Sequence, residues 1–264
     1  MDAISMDGDA MVARSDEHVS GAEPQPPSRA AYYAELPRLA SALGELAFSW
    51  RGLSDAPRGD MRPVLLLPGL ANGDASMAVM HRFLRGRGYR TWRWRLGVNL
   101  GVRSVGRDVE RLIARIAHVH AAAGGEKVTL IGVSLGGILA RVVAHRRPDL
   151  VREVVTLSSP YAGPPSATNV WRHFEWLTGQ KVGDAAARAM LAEAAMPLPM
   201  PATSIWSRSD GFVNGAICHE GDRGDARAIE VASNHIGVHL RPQVLRAIAE
   251  TLARDRSQSG SLAR

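Results

Sequence analysis

The chain has 264 residues, 45% of them hydrophobic and 22% charged, which fits a globular protein of one large domain or two small ones. No run approaches the ~18 uninterrupted apolar residues needed to cross a bilayer, and Met1 to Asp7 has neither the basic nor the apolar region of a secretory signal. Cys218 is the single cysteine, which excludes an internal disulfide and CxxC zinc sites and favours a cytoplasmic location. The formal charge of +6 comes almost wholly from scattered arginines, with Lys127 and Lys181 the only lysines, so it reads as a solvated surface and not as a nucleic-acid footprint.

Residues 1–28 carry a net charge of −5 and end in Pro24-Gln25-Pro26-Pro27. They hold too little apolar surface to offset chain entropy, so a disordered acidic tail is expected. The main domain then runs over 29–264, with a short flexible C-terminal tail from about 256. Within it, Pro63 to Leu67 is a short continuous apolar run, as a strand buried on both faces should be. Asp74 is placed to cap a helix through Met77, Met80, Phe83 and Leu84, stopped at Gly86. A strand is expected over 89–94. A helix follows on Val109, Leu112, Ile113 and Ile116, ended by Gly124-Gly125. Further strands are read at 128–133, 154–157, 203–206 and 229–231, with a helix over 135–145 and a last one opening at Pro242. Trp92 and Trp94 alternate with Arg93 and Arg95 as in a half-buried strand.

This alternation implies an α/β fold, a mostly parallel central sheet with helices on both faces. Residues 160–201 break the rhythm. They contain helical patches without a strand and are too long for a plain loop, so an inserted helical cap is expected there.

The sharpest chemical signal is Gly132-Val133-Ser134-Leu135-Gly136-Gly137, a G-x-S-x-G turn between a strand and a helix. A serine held on such a strained turn projects its hydroxyl above the sheet, and the flanking glycines admit the close strand–helix approach. A hydroxyl needs a base to take its proton, and the base needs an orienting carboxylate. Asp210 follows strand 203–206 and His235 follows strand 229–231, in the chain order expected of this arrangement. Asp222 and Asp225 rival Asp210, and His239 rivals His235. Backbone N–H groups of Leu70, after strand 63–67, and of Leu135 are the candidate oxyanion donors. Trp171, Phe174 and Trp176 form an aromatic cluster that either lines a substrate pocket or packs the cap on the core. Asn99 lies where it could shape the pocket rim, and Cys218 is read as a spectator.

Leu67-Pro68-Gly69-Leu70, Gly132 to Gly137, Ser209-Asp210-Gly211 and Asn234-His235 stand in the order found in α/β-hydrolases, and the chain resembles the lipase/esterase type from about residue 60 to 254. Leu96 to Gly101 and Leu157 to Gly163 resemble a bacterial subgroup known mostly just as hydrolases. Many relatives have histidine where this chain has Pro68; the oxyanion donor is a backbone group and should survive the change. The expectation is a serine hydrolase of carboxylic esters, on a small-molecule or lipid ester, without metal or organic cofactor. Thioesterase, amidase and acyltransferase chemistry would use the same groups. A non-catalytic scaffold that serves as a receptor or binding module is the alternative of another class.

Overall fold

A computed structural model of the chain describes residues 23–259. The expected tail residues 1–22 and the C-terminal 260–264 lie outside the described residues. Elements in chain order are α1 (Arg29–Tyr33), α2 (Glu35–Ser49), β1 (Pro63–Leu67), α3 (Ala78–Gly86), β2 (Arg90–Trp92), α4 (Val102–Val105) and α5 (Glu110–Ala122). They continue as β3 (Val128–Val133), α6 (Leu135–Arg146), β4 (Val151–Leu157), α7 (Trp171–Thr178), α8 (Ala185–Ala195), β5 (Ala202–Trp206), β6 (Ala226–Glu230) and α9 (Pro242–Ser259). The strands form one parallel sheet in the order β2-β1-β3-β4-β5-β6.

Every residue of β1 and β3 is buried, as parallel strands covered on both faces require. Their side chains alternate between two cores. Val64, Leu66, Ile131 and Val133 face α3 and α9, whereas Leu65, Leu67, Val128 and Leu130 face α5, α6 and α8. Helix α6 is buried from Gly136 through Ala144, so it is apolar nearly all round. Gly136 permits its entry angle: a Cβ there would lie 2.5 Å from the Leu67 carbonyl oxygen.

Several expectations need correction. Asp74 does not cap α3, which starts at Ala78; its Oδ2 instead accepts from the Arg95 N–H at 3.1 Å. The strand expected over 89–94 shortens to Arg90–Trp92, with Trp94 packed fully into the core. Val109 precedes its helix in a left-handed conformation and does not begin it. The last strand is Ala226–Glu230, an edge strand that is only partly buried. Two short segments assigned to tails belong to the folded body. The Gln25 and Pro27 carbonyls accept side-chain bonds from Asn214 and Asn169 at 2.7 and 2.9 Å, and Ser28 caps α1 through the Ala31 N–H. At the other end, α9 continues to Ser259. Helices α1 and α2 are not among the expected elements, although Leu39, Ala42, Leu43 and Leu46 of α2 recur at helical spacing. Residues 160–201 hold α7 and α8 and no strand.

Candidate active site

Ser134 closes β3 and precedes α6 with φ 49° and ψ −119°. A non-glycine residue there is strained, and the surrounding turn must hold it. Two loops at the carboxyl end of the sheet meet the serine, one after β5 and one after β6. The His235 imidazole bridges them. Its Nε2 lies 3.2 Å from Ser134 Oγ and its Nδ1 lies 2.8 Å from Asp210 Oδ2. The carboxylate can only accept, so Nδ1 carries the ring proton and Nε2 faces the hydroxyl with its lone pair. Asp210 is almost fully buried, and its Oδ1 accepts the N–H groups of Phe212 and Val213, both at 2.9 Å. Asp210 is thus locked from behind while its other oxygen serves the histidine.

Burial drives the His235 pKa down, but the charge and hydrogen bond of Asp210, helped by the charge of Glu35, outweigh it and leave the imidazole above its ordinary value. The rivals do not make these contacts. Asp222 Oδ1 accepts from the Ala228 N–H, and Asp222 and Asp225 sit in the exposed turn leading into β6, away from the loop that carries His235. His239 lines the same cavity as His235, but burial pushes its imidazole down to about 4, so it stays neutral across the physiological range.

The two loops are sewn together by hydroxyls. Ser207 Oγ donates to the Ser233 carbonyl at 2.7 Å and accepts the Ser233 N–H at 3.0 Å. Ser209 Oγ donates to the same carbonyl at 2.8 Å. On the other side of the serine, the turn Pro68 to Asn72 carries Leu70. Buried Asn99 fixes it: the Asn99 Nδ2 donates to the Pro68 carbonyl at 2.7 Å, and the Asn99 carbonyl accepts the Ala71 N–H at 2.9 Å. Asn99 therefore braces that turn, a role its place in the sequence did not reveal. Leu135 is the first residue of α6, where a helix N–H has no partner within the helix and the dipole favours negative charge. Both leucines border the cavity.

That cavity has a volume of about 710 Å³ and contains Ser134 and His235 in its wall. Its lining is chiefly apolar. Trp171, Phe174 and Leu177 come from α7, Met190 and Leu191 from α8, and Leu39 from α2. Trp176 does not belong to this lining. It is 82% exposed, because residues 171, 174 and 177 share one face of α7 and residue 176 points away from it. Cys218 is buried, with its thiol pushed up by burial, and takes no part in the cavity wall.

One contributor is invisible in the motifs. Glu35, from α2, is buried against both loops and accepts four N–H bonds from them. It lies about a hundred residues before the serine, at the first position of α2.

The alpha/beta hydrolase fold family matches residues 62–189, a stretch that holds Ser134 but stops before Asp210 and His235. A triacylglycerol lipase of Pseudarthrobacter phenanthrenivorans is 46% identical over 54 residues, which is 20% of this chain and 17% of that protein. The chain thus aligns with about a sixth of the length of that curated relative. Among solved structures, a monoacylglycerol lipase of Paleococcus ferrophilus superposes with a TM-score of 0.52 at 17% identity, over 75% of this chain and 96% of the other. A pyrethroid hydrolase of Sphingobium faniae JZ-2 superposes with a TM-score of 0.51 at 20% identity, over 73% and 97%. At such identities the superpositions speak for the fold alone. No described helix is long and apolar enough to cross a membrane. The parallel sheet, the strand–serine–helix turn and the family match over 62–189 agree, and the chain has an α/β-hydrolase fold.

Proposed function

We propose that this protein is a carboxylic ester hydrolase that works through an acyl-enzyme on Ser134. The observation that carries the reading is the continuous line Asp210–His235–Ser134, at 2.8 and 3.2 Å, ending on a strained serine in the wall of an apolar cavity. His235 Nε2 takes the hydroxyl proton as Ser134 Oγ attacks the acyl carbon. Asp210 holds the ring and offsets the charge of the imidazolium. The N–H groups of Leu70 and Leu135 stabilise the oxyanion. His235 then protonates the departing alkoxide, and the same groups activate water to release the acid. Nothing in this sequence of steps calls for a metal or an organic cofactor.

The few polar groups in a cavity of about 710 Å³ favour esters whose acyl part is apolar and longer than acetyl. The 54-residue stretch that is 46% identical to a triacylglycerol lipase supports an ester substrate here.

The test is a panel of p-nitrophenyl esters from acetyl to palmitoyl, run beside labelling with a fluorophosphonate probe. Wild-type protein should hydrolyse the middle of the panel and take up the label. Ser134→Ala should lose both while keeping its melting temperature. Labelling and turnover that survive Ser134→Ala would overturn the reading. A folded wild-type protein that neither labels nor turns over any ester would favour a binding scaffold.

A further inference from the structure

The loops that carry Asp210 and His235 share one buried anchor. Glu35, the first residue of α2, is only 1% exposed. Its Oε1 accepts the backbone N–H of Gly211 at 2.7 Å and of His235 at 3.0 Å. Its Oε2 accepts the backbone N–H of Ile236 at 2.8 Å and the Asn234 side-chain amide at 3.3 Å. Three of the four donors are main-chain groups next to or within the two residues that orient and move the proton. A buried carboxylate is costly unless its oxygens are filled by donors, and here all four donors come from the reacting loops.

The surroundings keep Glu35 in this place. A Cβ on Gly211 would collide with the Ala31 carbonyl, so glycine there lets α1 and α2 close onto the Asp210 loop. Arg38, one turn further along α2, donates to the Ser209 carbonyl at 2.8 Å. Arg241 links Asn234 Oδ1 at 2.8 Å to Glu45 Oε2 at 2.6 Å. Tyr32 of α1 stacks on Phe212, and Phe212 packs on the His235 ring.

We propose that Glu35 is a positioning residue: it holds the Asp210 and His235 loops in mutual register and sets a second negative charge behind the imidazole. This inference rests on the ester hydrolase reading above. Side-chain amides cannot replace it. A glutamine has one acceptor oxygen, so whichever way it turns its NH2 group must face two of the four N–H donors. The ionisable groups around His235 are Asp210, Glu35 and His239, with Arg38 and Arg241 bound to the flanking loops. Among the influences on His235, burial lowers its pKa and the charges of Asp210 and Glu35 raise it. Loss of the Glu35 charge must then lower it.

Glu35→Gln and Glu35→Asp separate position from charge. Each is measured for kcat, KM and the acid limb of kcat/KM with the preferred p-nitrophenyl ester, after circular dichroism and thermal melting confirm the fold. Glu35→Gln should lower kcat about ten- to a hundredfold, because small misplacement of reacting groups is costly, and should move the acid limb to lower pH. Glu35→Asp keeps the charge but shortens the reach, so kcat should fall with KM little changed and the acid limb in place. A residue that merely stabilised the fold would leave both kcat and the limb of the folded variants at wild-type values. Either folded variant with wild-type kcat and an unmoved limb overturns the proposal, and so does loss of fold in both, which would make the residue structural alone. Ser134→Ala decides the underlying reading separately: if that variant stays active, the reaction scheme fails before Glu35 is in question.

Discussion

Asp210→Asn is the most discriminating single change, because the structure dictates how the asparagine must sit. Asp210 Oδ1 accepts two backbone N–H groups, from Phe212 and Val213. Turning an NH2 group toward them would leave buried donors unpaired, at a cost of about 1–3 kcal/mol each. The amide oxygen therefore keeps that side, and the NH2 takes the place of Oδ2, 2.8 Å from His235 Nδ1. An NH2 donates, so Nδ1 must shed its proton and Nε2 must carry it. Nε2 then presents N–H to Ser134 Oγ across 3.2 Å and cannot act as base. Loss of the correct tautomer costs about 10⁴-fold in kcat, or about 5 kcal/mol at ~1.36 kcal/mol per decade. The packing of the loop is retained, so the fold should stay intact. The assay is steady-state hydrolysis of the preferred p-nitrophenyl ester with melting temperature measured in parallel. A folded Asp210→Asn protein with kcat within tenfold of wild type would refute the reasoning, as would an equal loss in Asp222→Asn.

Other outcomes follow from the same geometry. The acid limb of kcat/KM should lie above 6.5, the ordinary imidazole value, because the net effect on His235 is upward and only the neutral ring is a base; a rate flat from pH 5 to 9 contradicts this. Trp171→Ala should enlarge the cavity and change the ranking of acyl chain lengths, whereas Trp176→Ala on the exposed face of α7 should leave it unaltered; chain-length profiles of both variants decide. Gly136→Ala should destabilise by about 1–3 kcal/mol or prevent folding, since its Cβ would press on the Leu67 and Pro68 carbonyls; chemical denaturation measures it. Removing residues 1–28 should cost about 1 kcal/mol, a fall of about 2–4 °C in Tm, because Ser28 caps α1 and the Gln25 and Pro27 carbonyls are bonded to the body; thermal melting measures it.

Local rules made the serine turn, the strand–helix rhythm and the order of Ser134, Asp210 and His235 legible before any coordinates. Each depends on neighbours in sequence: apolar runs for buried strands, glycines where Ser134 must bend, loops that follow strands at the sheet's carboxyl edge. Even the helical segment between β4 and β5 announced itself through the absence of strand pattern. The preference for Asp210 over Asp222 and Asp225 rested on sequence position as well, since Asp210 follows a strand and its rivals precede the last one, but its contact with His235 at 2.8 Å could not be read there. The aromatic cluster could not be divided from sequence either, because the phase of α7 against the cavity sends Trp171 and Phe174 inward and Trp176 to solvent. Asn99 and Glu35 lie furthest from local reach. Each acts through backbone groups that are distant in the chain, Asn99 on the turn after β1 and Glu35 on loops nearly two hundred residues away. A hydrogen bond to a main-chain N–H leaves no trace in the identity of the residue that donates it, so only the folded arrangement of α2 against the two loops could reveal what Glu35 holds.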